Sequence, residues 1–417
     1  MNKGSFGSAR LQCKPKRFTD CQILQPDGTL LEGEDLFVCC EGKIHLSQPG
    51  DMSEGFIEMI DCEGGILSPG FIDLQLNGAY GVDFSDVASA DFGSIMDVCK
   101  KLPSSGVTSF LPTLVSCDAV VYKELLPRYY QIINDETNYS YVGGAVILGL
   151  HLEGPYFAME KRGAHNISSI RSSFTDNDFT DIYGEIIKQR PGLVRLVTLA
   201  PELPGALDVI SELKDTGCIV SMGHSNATFE QGVNGIKSGA TLITHLFNAM
   251  KPFHHREPGL AGLIALHNEQ VQRPFVSIIV DGFHLHPTVV NLVNLTNPDR
   301  LILVTDAMSA MGLNDGQHTL GSMRVEKRDK RATIVGTETL AGSVVSMDEC
   351  LRSFVEFTGV SPGEALLKCT LAPATLLGLC DTIGVIKSGA DADLVLLNDQ
   401  LVVRKTWVKG TEVFCAD

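Results

Sequence analysis

Three residues of metal-ligand type, one carboxylate and two imidazoles, stand where apolar runs of the chain end: Glu153, His224 and His245. Such a set suits a borderline divalent cation, so we expect one Zn²⁺, with Fe²⁺, Mn²⁺ or Co²⁺ as alternatives. Three protein ligands leave a position for water, and the ion lowers the pKa of that water towards neutrality. A lone histidine at a strand end is more often a hydrogen-bonded rim residue. Two histidines and a glutamate at three strand ends together favour a metal site.

Two further acid–base groups follow later runs. Asp306 closes Leu303–Asp306, and an acid beside a metal-bound water can take its proton and pass it to a leaving group. The alternative is a helix N-cap, which the metal set makes less attractive. His284 could donate to an oxyanion that develops on a carbonyl, or lie at the surface. Asp281, three residues earlier, could orient a neighbour.

Three polar side chains in the loops are candidate substrate contacts. Arg256 suits a phosphate or a carboxylate, and the alternative is an exposed ion pair with Glu257. His165 and Asn248 are candidate contacts to a sugar or a phosphate.

Eight apolar runs alternate with amphipathic segments and must position these groups. The runs are Phe71–Leu76, Val107–Leu111, Ala145–Leu150, Val194–Leu199, Cys218–Met222, Thr241–Leu246, Phe275–Val280 and Leu301–Val304. Eight βα units predict an α/β fold, a (β/α)₈ TIM-like barrel whose strand ends share one catalytic face. A doubly wound open sheet is disfavoured, because no Gly-rich phosphate turn follows the first run.

The two ends of the chain instead contain short strand-like pieces, which predict one small β domain built from both ends. The expected organisation is an N-terminal extension at 1–20, small-domain parts at 21–67 and 379–417, and a barrel at 68–378. A β-hairpin is expected to interrupt the barrel at about 319–336, with helical segments near Met347–Thr358 and Pro362–Leu377.

Composition excludes several classes of function. A formal net charge of −17 over 417 residues argues against a nucleic-acid or anionic-membrane surface. The 12 cysteines have no CxxC spacing, which favours reduced thiols and a cytoplasmic protein. Neither a signal peptide nor a run of membrane-spanning length is evident.

Five motifs carry a family resemblance: HLEGP at 151–155, GHSNAT at 223–228, THLFNAM at 244–250, REPGLAG at 256–262 and VTDAM at 304–308. Together with SPGFID at 68–73 and GADADLV at 389–395, they make the chain similar to the N-acetylglucosamine-6-phosphate deacetylases of the amidohydrolase superfamily. The similarity runs from about Ser68 to Leu397.

That resemblance implies a homodimer of barrels with β-sandwiches. It implies hydrolysis of N-acetyl-D-glucosamine 6-phosphate to D-glucosamine 6-phosphate and acetate, in amino-sugar recycling. It also implies that Glu153, His224 and His245 hold the metal, that Asp306 is the acid–base group and that His284 polarises the acetamide carbonyl. The substrate-binding set that it implies is Ala164, His165, Asn248, Ala249, Arg256, His284, Leu340, Ala341 and Gly342.

The residues at the end of the first strand differ from the superfamily pattern, and the difference bears on the number of metal ions. Many amidohydrolases place His-x-His at the end of the first strand to hold a second metal, whereas this chain has Gln75 and Asn77. Neutral amides are poor ligands for such a cation, so we expect a single metal and not dihydroorotase-like or hydantoinase-like binuclear chemistry. Another mononuclear amidohydrolase remains an alternative, but Arg256 and His165 favour an anionic polar substrate. A catalytically silent sugar-phosphate sensor is a further alternative, against which the retained Asp306 argues.

Overall fold

The computed structural model describes residues 14–49, 57–134, 143–174, 179–267, 271–321 and 323–416. Residues 1–13 of the predicted extension lie outside this part of the chain. Lys16–Thr19 is a strand of the small β domain, which therefore begins before the predicted residue 21.

Eight parallel strands form a barrel, as predicted. Numbered as barrel strands 1 to 8, they are Phe71–Leu76, Val107–Val115, Leu150–Glu153, Val194–Leu199, Ile219–Met222, Leu242–Ile243, Phe275–Ile278 and Leu301–Leu303. The short strand Val146–Ile147 pairs with barrel strand 2. The ring closes where the backbone N–H of Asp306 donates to the carbonyl of Gln75 at 2.8 Å.

Barrel strand 3 differs from the predicted run Ala145–Leu150. The strand begins at Leu150 and ends at Glu153, which pairs with Val115 of barrel strand 2. The apolar pattern stops too early because His151 and Glu153 are buried polar residues. Glu153 is therefore held inside the sheet and not in the turn beyond it.

Ten α-helices lie in the described part of the chain: Phe92–Lys101, Ala119–Asn134, Phe179–Tyr183, Ile186–Gln189, Ala206–Asp215, Phe229–Ser238, Pro287–Thr296, Met347–Thr358, Pro362–Leu367 and Leu371–Leu376. Short 3₁₀ turns are Leu102–Ser105, Met159–Lys161, Ile167–Ser169, Leu260–Ala265 and Pro298–Arg300. The helix predicted at Pro362–Leu377 is two helices, because Thr370 leaves helical geometry (φ −125°, ψ −82°). None of the helices that the structure describes is long and apolar enough to cross a bilayer.

The small β domain combines both ends of the chain, as predicted. One sheet has the order Ile44–His45, Leu36–Val38, Lys16–Thr19, Glu58–Asp61. The other has the order Thr411–Cys415, Val403–Val408, Leu394–Leu397, Ile66–Pro69, Gln22–Leu24, Leu30–Leu31. Phe18 meets Trp407 edge to face in the core, with ring centroids 4.9 Å apart.

The insertion after barrel strand 8 has one strand more than the predicted hairpin. Gly316–Leu320, Met323–Arg328 and Arg331–Ile334 form a three-stranded antiparallel sheet. The first strand was missed because it is mostly exposed and has no apolar alternation. A cluster containing Val115 and Leu320 packs the sheet against the end of barrel strand 2, beside the catalytic face. A two-stranded ribbon, Gly78–Ala79 with Val82–Asp83, follows barrel strand 1.

Candidate metal centre and active site

The three predicted metal ligands converge at the carboxyl ends of barrel strands 3, 5 and 6. His224 Nε2 lies 3.3 Å from Glu153 Oε1, and His245 Nε2 lies 3.0 Å from the same oxygen. The two Nε2 atoms are 3.1 Å apart. Ligand atoms at about 2.0–2.1 Å from a tetrahedral Zn²⁺ lie roughly 3.3 Å from one another. The donor types and their spacing therefore fit a single tetrahedral ion, and all three residues are buried.

Neighbouring groups fix one of the imidazoles for this role. His224 Nδ1 lies 2.8 Å from the carbonyl oxygen of Lys161, so Nδ1–H donates there and the Nε2 lone pair faces the other ligands. Phe157 stacks on the ring with centroids 4.1 Å apart. Burial would raise the pKa of Glu153, but the neighbouring imidazoles of His224 and His245 hold it well below its ordinary value. The carboxylate is thus ionised, as metal binding requires.

The backbone is strained at two of the predicted metal ligands and at Asp306. His224, His245 and Asp306 have φ of 49°, 30° and 47°. This left-handed region costs residues other than glycine about 1–3 kcal/mol each when the surrounding fold imposes it. Strain of this kind often occurs at functional sites, and here it falls at the carboxyl ends of three barrel strands.

Asp306 lies beside the ligands and is held by the two amides of barrel strand 1. Its Oδ1 accepts from Gln75 Nε2 at 3.1 Å and from Asn77 Nδ2 at 2.7 Å. Gln75 Nε2 also donates to Glu153 Oε1 at 2.8 Å. Burial and the negative charge of Glu153 raise the pKa of Asp306 to about 6. A carboxyl that titrates near neutrality can accept and return a proton at physiological pH.

His284 follows barrel strand 7 and is anchored by Asp281. Its Nδ1 lies 2.7 Å from Asp281 Oδ2. A charge on this imidazole opposes the rise in the pKa of Asp306 that burial and Glu153 cause.

His165, which the sequence predicts as a sugar or phosphate contact, lies next to the metal-ligand set. Its Nε2 is 3.9 Å from Glu153 Oε2, and its Nδ1 accepts from the backbone N–H of Ser116 at 3.2 Å. Burial lowers the pKa of His165 to about 3. The ring is therefore neutral and presents Nε2–H to the site. Sequence reasoning missed the Ser116 and Lys161 contacts, because backbone groups leave no side-chain signal.

The remaining predicted substrate contacts fall into three groups. Gly163 precedes Ala164 and His165, and a Cβ added to it would lie 3.5 Å from His224 Cε1 and 3.9 Å from Ala249 Cβ. The loop at 163–165 therefore borders the predicted metal ligands. Gly342 (φ 67°) approaches the backbone of Asp306 so closely that an added Cβ would lie 2.8 Å from its carbonyl oxygen. This places Leu340–Gly342 beside Asp306.

Arg256 forms the third group. Its side chain is exposed, and no ion pair with Glu257 occurs in the described part of the chain. Glu257 Oε1 instead accepts backbone N–H groups of Phe229 and Gly259, at 2.7 and 3.2 Å. Arg256 is thus available to an anion, although no contact joins it to the metal ligands in the residues described.

Comparison with known proteins identifies the family of this chain. The amidohydrolase family matches residues 66–413, and the chain belongs to that family. Within it, the chain is 42% identical over 403 residues to N-acetylglucosamine-6-phosphate deacetylase of Danio rerio, covering 95% of this chain and 96% of that protein.

Two solved structures have the same fold. The crystal structure of N-acetylglucosamine-6-phosphate deacetylase from Pasteurella multocida matches with a TM-score of 0.85 and 29% identity, over 96% of this chain and 100% of that one. A mutant of the Mycobacterium smegmatis deacetylase, in complex with N-acetyl-D-glucosamine-6-phosphate, matches with a TM-score of 0.80 and 30% identity, over 96% and 99%.

Proposed function

We propose that this chain is a metal-dependent deacetylase that hydrolyses N-acetyl-D-glucosamine 6-phosphate to D-glucosamine 6-phosphate and acetate. The observation that carries the proposal is the convergence of Glu153 Oε1, His224 Nε2 and His245 Nε2 within 3.3 Å, beside the buried acid Asp306. The relatives named for this reaction, one of them solved with this phosphosugar, support the choice of substrate.

Glu153, His224 and His245 would hold the ion, with Zn²⁺ as the first candidate. The bound ion would supply a nucleophilic water at neutral pH and polarise the acetamide carbonyl. Asp306 accepts a proton from the attacking water as the new C–O bond forms. His284 donates a hydrogen bond to the carbonyl oxygen as negative charge develops there. Asp306 then returns the proton to the amine nitrogen as the C–N bond breaks, which releases acetate.

The phosphosugar is assigned to the surrounding loops. Arg256 is assigned to the phosphate, because its guanidinium is exposed and not paired with Glu257. Asn248, the Ala249 backbone and His165 are assigned to the sugar, with Ala164 and Leu340–Gly342 lining the pocket.

The first test is acetate release from N-acetylglucosamine 6-phosphate with and without a chelator, beside the unphosphorylated sugar. We expect release from the phosphorylated sugar that the chelator abolishes and added Zn²⁺ restores. Arg256→Ala should raise KM for the phosphorylated sugar far more than it changes kcat. Arg404→Ala, which removes an exposed partner of Glu63 in the small β domain, is the matched control and should leave both constants unchanged.

Equal activity on both sugars would remove the phosphate assignment and leave the metal chemistry standing. Absence of release from either sugar, with metal bound, would contradict the proposed reaction.

The assembly and compartment are part of the same proposal. We infer a homodimer, from the family resemblance, and a reducing compartment such as the cytoplasm. Cys99, Cys350 and Cys369 are buried thiols without a disulfide. Analytical ultracentrifugation should give twice the chain mass of 45.0 kDa, and a monomer at working concentration would contradict the dimer.

A further inference from the structure

We propose that Thr198 and Thr244 are positioning residues for the metal ligands. Their hydroxyls belong to a buried chain of hydrogen bonds in the barrel interior, and this chain fixes the backbone that carries Glu153, His224 and His245. The inference deepens the proposed function and rests on the metal site that the proposed function assigns.

The chain of hydrogen bonds joins four barrel strands. Thr198 Oγ1, on barrel strand 4, lies 2.8 Å from His151 Nε2 on barrel strand 3 and 2.7 Å from Thr244 Oγ1. Thr244 directly follows barrel strand 6, and its hydroxyl also bonds to the hydroxyl of Ser221 on barrel strand 5. The four residues are at most 1% exposed. The chain therefore connects all three strands that carry or lead into the predicted metal ligands.

Both threonines also contact the backbone next to the ligands. Gly223 precedes His224, and a Cβ added to this glycine would lie 3.0 Å from Thr198 Cγ2 and 3.0 Å from Thr244 Cβ. The carbonyl oxygen of Thr198 accepts the backbone N–H of Gly154, which follows the glutamate ligand, at 3.1 Å. Thr244 directly precedes the second histidine ligand. Each ligand is thus joined to one of the two threonines through a neighbouring backbone group.

The strained backbone of the two histidines requires such a constraint. His224 and His245 have φ of 49° and 30°, values that residues other than glycine keep only where the surrounding structure imposes them. The close approach of Gly223 to both threonines supplies part of that constraint. If the threonines shift, we expect the two imidazoles to move relative to Glu153 Oε1.

The hydroxyls of the threonines matter separately from their shape. A hydroxyl has one proton and two lone pairs, so each threonine can bond to two neighbours at once. Valine has nearly the same shape, but it would leave polar atoms of both neighbours unpaired in a buried layer, which is costly. Serine keeps the hydroxyl and loses only a methyl group. The two substitutions therefore separate hydrogen bonding from packing.

General stabilisation of the barrel is the competing explanation. Branched apolar residues dominate most barrel interiors and fill them without the cost of burying polar groups. A satisfied network of buried polar groups instead makes its surroundings rigid. Thr406 offers a matched control on a strand of the small β domain, because its hydroxyl is also buried and donates to the carbonyl of Pro103 at 2.8 Å.

The experiment compares the Zn²⁺ affinity of Thr198→Val, Thr198→Ser and Thr406→Val in competition with a chromophoric chelator. Loss of a group that orients metal ligands weakens metal binding about 10–100-fold, so Thr198→Val should bind Zn²⁺ at least about tenfold more weakly than the wild type. Thr198→Ser and Thr406→Val should keep the wild-type affinity. Wild-type affinity in Thr198→Val, an equal loss in Thr406→Val, or a loss confined to Thr198→Ser would overturn the proposal.

Two further measurements keep the inference testable without turnover. If Thr198→Val does not fold, Ser221→Ala takes its place, because it removes only one bond of the chain. It should also weaken Zn²⁺ binding, and unchanged affinity would overturn the proposal. The visible absorption of the Co²⁺-loaded protein reports the ligand geometry, and it should change in Thr198→Val but not in Thr198→Ser. A wild type that binds Zn²⁺ and releases no acetate would refute the proposed function, while the affinity comparison would still test the threonines.

Discussion

Replacing Asp306 by asparagine should separate the chemistry of this residue from its cost to folding. Burial and the charge of Glu153 raise the pKa of Asp306 to about 6 in the folded chain, against about 3.9 for an unperturbed aspartate. Asparagine can still accept from Gln75 and Asn77, which both donate to Oδ1. The substitution therefore removes the buried charge while it leaves these two hydrogen bonds in place.

The sign follows from proton linkage. The folded-state pKa lies above the unfolded-state pKa, so the protonated carboxyl stabilises the fold at low pH, and this contribution is lost as the pH rises through about 6. Two pKa units correspond to about 3 kcal/mol. Asp306→Asn should therefore raise the free energy of unfolding at pH 8 by up to about 3 kcal/mol, and by roughly half of that at pH 5. Turnover should fall by about 10²–10⁴ because the proton carrier is gone.

The assay is urea unfolding of wild type and variant at pH 5 and pH 8, with chelator present so that no cation stabilises the ionised form. Acetate release is measured on the metal-loaded proteins in parallel. A stability difference that does not depend on pH would refute the reasoning about the buried charge. Near wild-type turnover in a variant that folds and binds metal would refute the acid–base role.

Three other substitutions test the site and the small domain. Gln75→Leu removes the donor to Glu153 Oε1 and should weaken metal binding about 10–100-fold in a competition with a chromophoric chelator; unchanged affinity would show that the amide does not support the ligand. Asn77→Leu removes a donor that favours the ionised form of Asp306, so the acidic limb of the kcat/KM profile should move to higher pH, and a stationary limb would contradict that. Trp407→Ala empties the centre of the small β domain and should lower the free energy of unfolding by about 3–5 kcal/mol; a loss below 1 kcal/mol would show that the sandwich core is not coupled to global unfolding.

The fold could be predicted from the sequence where buried elements consist of regularly placed apolar residues. Barrel strands buried on both faces read as apolar runs, and Phe71–Leu76 and Val194–Leu199 have the predicted bounds. The pattern failed where polar residues face the barrel interior, as His151 and Glu153 do, and where an edge strand is exposed, as Gly316–Leu320 is. Polar residues make up much of both strands, so a search for apolar runs does not detect them.

The site could be predicted as a set of residues but not as a network. Glu153, His224 and His245 are of metal-ligand type and stand at strand ends, so their convergence follows from the barrel. The bond from Gln75 to Asp306 joins residues 231 positions apart and depends on how the barrel closes. No local pattern encodes that distance, so the sequence showed that Gln75 and Asn77 replace a histidine pair but not what they bind.

Those two amides explain how neighbouring acids can take different roles. Glu153 and Asp306 are both buried and share the Gln75 amide as a donor. Glu153 also faces two imidazoles, which hold its pKa well below the usual range and make it a permanent anion suited to a metal. Burial and the charge of Glu153 raise the pKa of Asp306 to about 6, because its direct partners are neutral amides and not cations, and it can therefore exchange a proton. Histidine at position 75 or 77 could add a positive charge or a second metal ligand beside Asp306, and either would favour its ionised form. The amides therefore keep Asp306 a proton carrier while they still hold it in place.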